Sequence, residues 1–227
     1  MSRQAILGAI RRGLRRGELP EDQKFGLRAR MAAHPRHLIP ARSQVPRPAQ
    51  VLLFIHNVEK EFGTVARVAD AAGIPQAVAE YLAAHNLPTE FVIAPHPELQ
   101  SIPWDTRPLL RLREGRAVAT DLVSVQQGYA GIAETGTLML PSSPERPTTL
   151  NLLCDTAIVV LRASRVVGPY EDAWDKLRAE PGFMPRNVML VTGPSRSADI
   201  ESTLELGAHG PRRVHVLLID DDPAAMA

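Results

Sequence analysis

The run Ala157-Ile158-Val159-Val160-Leu161 constrains this chain more than any other segment. Five apolar residues in a row, four of them large and three β-branched, read as a strand with both faces buried. Such a strand requires neighbours on its edges and covering layers above and below. The rest of the last third supplies them. Tyr170 to Arg178 has the pattern of a helix, and Asn187 to Thr192 and Val214 to Ile219 have that of strands. Helices alternating with strands predict an α/β fold with helices packed on a mostly parallel sheet. Ligands in such sheets collect where strands end, so the loop after Val191 is a place to look for a site.

The same pattern extends upstream. Val51, Ile55, Val58 and Phe62 recur at helical spacing, with Gly63 placed to end that helix. Thr64 to Val68 and Glu90 to Ala94 read as strands, and Pro75 to His85 as a helix between them. Leu109 to Arg113 is a further strand candidate. Val123 to Gln127 and Tyr129 to Ala133 run into a glycine-containing turn, and Thr137 to Leu140 leaves it, which predicts a hairpin. Before residue 50 the character changes. Ser2 to Arg16 reads as an arginine-rich helix capped by Ser2, with Ile6, Ile10 and Leu14 on one face. Gly17 to Ala49 is punctuated by Pro20, Pro35, Pro40, Pro46 and Pro48 and reads as an extended arm with a short helix around Asp22 to Ala33. The expected organisation is therefore a basic helix and arm over 1–49, one α/β domain over 50–220 and a frayed tail over 221–227.

Composition removes several classes of function. A formal net charge of +1 gives no overall attraction to nucleic acid or to a membrane surface. No apolar stretch approaches the length of a membrane span, and no secretory pattern follows the basic start, so a cytoplasmic location is expected. The single cysteine, Cys154, lies in an apolar stretch and can form neither an internal disulfide nor a multi-cysteine cluster site. The histidines lack metal-ligand spacing, and no GxGxxG signature follows a strand, so neither a metal site nor a bound cofactor is expected.

Three loops carry candidate chemistry. In Ala133-Glu134-Thr135-Gly136-Thr137, Gly136 allows a tight turn that directs Glu134 into a cleft, as nucleophile, general base or binder of a substrate hydroxyl. The competing reading is a hairpin turn whose glutamate faces water. In Thr192-Gly193-Pro194-Ser195-Arg196-Ser197-Ala198-Asp199-Ile200, a glycine, two serines, an arginine and the start of a helical turn suit a carboxylate or phosphate. The competing reading there is capping by Ser195 or Ser197, with Arg196 and Asp199 paired three apart. In Gly207-Ala208-His209-Gly210-Pro211, two glycines expose His209, a candidate acid or base.

Taken together these segments resemble the LUD-domain family, and within it the lactate-utilisation type. The carrying motifs are an "AETGT" turn, here Ala133 to Thr137, and a "TGPSR(S/T)(A/G)DIE…LG(A/V)HGPRR(L/V)H" stretch, here Thr192 to Glu201 and Leu206 to His215. The resemblance assigns residues 50–220 to a LUD domain. It implies a NagB/RpiA/CoA transferase-like α/β sandwich around a mostly parallel sheet. It also implies a part in oxidising L-lactate to pyruvate beside an iron–sulfur partner protein, which would carry the redox cofactor. On that reading the site comprises Glu134 and His209 as catalytic groups. Thr135, Gly136, Thr137, Gly193, Ser195, Arg196, Ser197 and Asp199 hold a small anionic substrate. Related folds include CoA transferases with a glutamate nucleophile, folate cyclo-ligases and sugar-phosphate isomerases, so a stand-alone enzyme using Glu134 is the alternative.

Overall fold

The computed structural model describes residues 2–180, 184–198 and 204–225. The described chain divides into two units, 1–38 and 39–227. The first contains two helices, α1 (Arg3–Gly13) and α2 (Glu21–Ala33). The Ser2 hydroxyl accepts the Ala5 N–H and so caps α1, as expected. Neither helix buries a residue: Ile6, Ile10, Leu14, Phe25 and Met31 are all exposed.

The second unit is an α/β body. Helix α3 (Arg47–Lys60) leads into strand β1 (Thr64–Val68), helix α4 (Ile74–Ala84) and strand β2 (Glu90–Ile93). A one-turn helix, α5 (Pro97–Gln100), precedes strand β3 (Arg111–Glu114). Strands β4 (Val123–Gln127), β5 (Ala130–Ile132), β6 (Thr137–Pro141), β7 (Thr156–Arg162) and β8 (Val166–Val167) follow, then helix α6 (Tyr170–Arg178). The chain continues through β9 (Val188–Val191), β10 (Arg196–Ala198), β11 (Leu204–Leu206) and β12 (Arg213–Ile219).

Six strands form a sheet in the order β1-β12-β7-β4-β2-β3, and every neighbouring pair is parallel. A second sheet, β8-β5-β6-β9, is mixed, with β5 and β9 both antiparallel to β6. The apolar run at 157–161 sits at the centre of the first sheet, as its sequence requires. Ile158 and Val160 point into a core with Ile74, Val78 and Leu82 of α4, while Val159 and Leu161 point into another with Val51, Phe54 and Val58 of α3. Leu138 and Leu140 of β6 close that second core. A third core, built on Ile132, Met139, Ala173 and Leu177, lies where α6 covers the small sheet. The layers thus run α4, large sheet, α3 with the small sheet, and α6.

Two local expectations need correction. Phe62 does not belong to the buried face of α3: it takes a left-handed backbone (φ 66°) and is 61% exposed. The apolar face that is buried is Val51, Phe54 and Val58, a spacing of three and four. Residues 196–198 do not begin a helix but form β10, which pairs antiparallel with β11. Moreover, β9 runs antiparallel to its neighbour in the small sheet, so the loop after Val191 is not the carboxyl end of a parallel-sheet strand.

Candidate functional site

The turn between β5 and β6 is fixed by its glycine. Gly136 has φ +67°, and a Cβ there would lie 2.4 Å from the Val58 nitrogen and 2.5 Å from the Asn57 carbonyl carbon. The turn therefore presses directly on the backbone of α3, an approach open only to glycine. Asn57 completes the junction, with Nδ2 donating to the Ala133 carbonyl at 2.8 Å and to that of Glu134 at 3.3 Å. The Glu134 N–H donates to the Gly168 carbonyl at 3.0 Å. Held on three sides, the Glu134 side chain is 7% exposed, and its Oε1 accepts a hydrogen bond from Arg42 Nη2 at 2.9 Å. Arg42 lies 92 positions away and is itself 67% exposed.

The hydroxyls of this turn bind one another. Thr135 Oγ1, Thr137 Oγ1 and the Tyr170 phenol form a ring of contacts at 2.6, 2.8 and 2.9 Å, and Thr192 Oγ1 lies 2.6 Å from Thr137 Oγ1. Four hydroxyls carry four protons, so all four contacts are hydrogen bonds only if Thr192 donates to Thr137. Thr137 is fully buried, and its oxygen has no capacity left for a ligand.

The second loop leaves this junction along the end of α3. Gly193 (φ +71°) comes so close to the Glu61 carbonyl that a Cβ would lie 2.1 Å from it. Arg196 stacks on Phe62, its guanidinium carbon 3.3 Å from the ring centroid. Ser195 Oγ accepts the His209 N–H at 3.2 Å, and the Ser195 backbone bonds to Pro211 and Gly207. His209 is exposed on that turn, as expected. Ser197 sits in the β10–β11 ladder opposite Glu205. Asp199 lies outside the described residues.

These elements border a cleft of about 610 Å³ lined by Arg42, Leu53, His56, Asn57, Lys60, Glu61, Glu134, Thr135 and Thr192. Of the residues in the loops singled out from sequence, Glu134, Thr135 and Thr192, which opens the second loop, therefore share one cavity. Gly136 and Thr137 lie buried in the turn that shapes it. Gly193, Ser195, Arg196, Ser197 and His209 are not among its lining residues. Four lining residues, Leu53, His56, Asn57 and Lys60, fall at i, i+3, i+4 and i+7, which is one face of α3. That stripe, polar but for Leu53, runs beside the buried apolar stripe Val51-Phe54-Val58 and is carried by helical spacing in the sequence. Arg42 had no local signal at all.

The carboxyl ends of β2 and β4 hold a second polar cluster. Arg146 donates through Nε to Gln127 Oε1 and through Nη2 to His96 Nε2, each at 3.0 Å. Burial, followed by the Arg146 charge, holds the His96 imidazole below its ordinary pKa, so the ring is a neutral acceptor. The guanidinium carbons of Arg146 and Arg165 lie 5.8 and 5.5 Å from the centroid of the Tyr129 ring. Burial, and then the neighbouring Glu180, push its phenol up to about 12. Cys154 is buried and pushed up to about 11, which makes it an inert core thiol. Among the described residues no group of three or more His, Cys, Asp or Glu side chains is arranged to hold a metal ion. Nor is any described helix long and apolar enough to cross a membrane.

The class defined by this geometry is an α/β protein with a glycine-pinned glutamate beside a cleft. The particular family follows from comparison. The LUD domain model matches residues 51–219, and the chain belongs to that family. An uncharacterized protein of Neisseria meningitidis is 45% identical over 92 residues, 40% of each chain. Lactate utilization protein C of Bacillus subtilis is 37% identical over 93 residues, 40% of this chain and 39% of that protein. The protein of the same name from Shouchella clausii is 32% identical over 120 residues, 52% of each. The matches thus span about two-fifths to half the length of these relatives. A crystal structure of a DUF162 family protein from Deinococcus radiodurans superposes with a TM-score of 0.58 at 21% identity, covering 77% of this chain and 99% of that one. That likeness establishes the fold.

Proposed function

We propose that this chain is a LUD-domain component of L-lactate utilisation that binds a small carboxylate substrate in the Glu134 cleft. The observation that carries the reading is an enclosed carboxylate facing a cleft with basic groups on its rim, Arg42, His56 and Lys60. L-Lactate matches that pattern, having one carboxylate for a cation and one hydroxyl for an acceptor. Glu134 accepts the hydroxyl hydrogen and serves as binder or general base. Oxidation to pyruvate releases two electrons and two protons. The electrons pass to an iron–sulfur partner protein, since the single buried thiol of this chain can ligate no cluster. Lactate utilization protein C of Bacillus subtilis supports the reading through its name and its identity to this chain.

The test is L-lactate consumption by cells lacking the chain and complemented with either form. Wild type should restore consumption, and Glu134→Gln should restore less than about a tenth of it. Full restoration by the variant contradicts a role for Glu134. Undiminished consumption without the chain contradicts the pathway assignment. A covalent acyl adduct on Glu134, absent from the variant, would instead favour the stand-alone acyl-transfer enzyme.

A further inference from the structure

Arg42 and Glu134 form an asymmetric pair. Glu134 is fixed by Asn57, Gly168 and the Gly136 turn, and it is 7% exposed. Arg42 is 67% exposed and projects from the short turn Ala41–Ser43. The base of that turn is itself pinned. Ser43 is fully buried, its hydroxyl donates to the Pro40 carbonyl at 2.8 Å, and its own carbonyl lies against Gly168. The guanidinium therefore stands on a rigid foot at the mouth of the cleft.

Its hydrogen bonding is incomplete. A guanidinium offers five N–H donors in a planar fork, and among the described residues Arg42 bonds Glu134 through Nη2. The Arg42 side chain is 67% exposed and lines the cleft. The pair is enclosed on the glutamate side and open on the arginine side, so Arg42 compensates the Glu134 charge while its own guanidinium stays accessible from the cleft.

We infer that Arg42 is the specificity-determining residue of this site: its free edge receives the substrate carboxylate while Nη2 stays on Glu134. This deepens the proposed function and rests on it. Both ends of a 2-hydroxy acid are then positioned by one bridge, the carboxylate paired with the guanidinium fork and the hydroxyl directed at Glu134. Lys60 and His56, also on the cleft wall, add positive charge but no planar fork. Arg42 precedes the segment matched by the family model, so this recognition element lies outside the LUD domain proper.

The experiment titrates the purified full-length chain with L-lactate and, separately, with L-lactamide, its uncharged isostere. Wild type, Arg42→Gln, Arg42→Lys and Glu134→Gln are compared. Wild type should prefer lactate by about tenfold or more, and Arg42→Gln should lose that preference while still binding lactamide. Arg42→Lys should recover only part of the preference, because an ammonium lacks the fork. Lactate binding with the same preference in wild type and Arg42→Gln overturns the role of Arg42 and leaves the lactate reading standing. If wild type binds neither compound, the lactate reading fails and this inference fails with it.

Discussion

The Oγ1 atoms of Thr137 and Thr192 lie 2.6 Å apart, although the residues are 55 positions apart in the chain. This bond ties the Glu134 turn to the loop after β9, and Thr192 is its donor when Thr137 donates within the ring with Thr135 and Tyr170. Replacing Thr137 with valine keeps the shape and removes the shared oxygen. The Tyr170, Thr135 and Thr192 hydroxyls lose a common partner, two of them in a half-buried setting. Thr137→Val should cost about 1–3 kcal/mol in urea denaturation. Thr192→Val, at an exposed position, should cost less. Equal costs would show that the ring is not the centre of the junction.

Gly136→Ala tests how closely the turn rests on α3. The added methyl would lie 2.4 Å from the Val58 nitrogen, and alanine would also have to adopt φ +67°. Neither neighbour is a flexible side chain, so α3 and the turn must separate. The expected cost is on the order of 2–4 kcal/mol by chemical denaturation, with displacement of Glu134 from its cleft. A neutral substitution would contradict close contact between the turn and the α3 backbone.

Arg196 stacks on Phe62 outside the cleft. Arg196→Gln should lower stability by about 0.5–1 kcal/mol, the scale of an exposed cation–π contact. It should leave L-lactate affinity unchanged within about a factor of two. A large loss of affinity would extend the ligand contact of the second loop from Thr192 to Arg196.

His215 gives the fold a pH dependence. Its ring stacks on Tyr81 at 3.9 Å and its Nδ1 meets Thr64 Oγ1 at 2.7 Å. Burial, and then the His85 imidazole, lower its pKa from 6.5 to about 4. The unfolded chain therefore binds a proton that the folded chain refuses between pH 6.5 and about 4. Stability contributed by the neutral ring is intact above pH 6.5 and falls as the pH drops through that window, by a total of about 3 kcal/mol. Denaturation midpoints at pH 7, 5.5 and 4 should show this slope, and His215→Asn should flatten it. An unchanged slope in the variant would assign the acid sensitivity elsewhere.

The sheet was legible because its strands speak locally. Ile158 and Val160 face one core and Val159 and Leu161 the other, and an unbroken apolar run has no other use. The hairpin around Gly136 was legible for the same reason, one glycine turn between two short, largely apolar segments. The loop from Thr192 misled because its serines, arginine and aspartate are the composition of a helix start. There, pairing of Arg196 with Leu206 and Ser197 with Glu205 overrides local preference. Phe62 misled because helical spacing continues two residues past the end of α3, to the residue whose own backbone is left-handed. Arg42, Tyr170 and Asn57 reach Glu134 and its turn only through the tertiary fold, and no spacing rule links them. The residues that build the site were thus half visible, and the pairing that gives Glu134 its partner was not.

The central claim is that Glu134 meets a small carboxylate substrate in this cleft. Calorimetric titration of L-lactate into the wild-type chain and into Glu134→Gln, at equal folded fraction, tests it most directly. The account predicts saturable binding to wild type and at least about tenfold weaker binding to the variant. Equal affinity in the two proteins, or no binding by wild type, would contradict it.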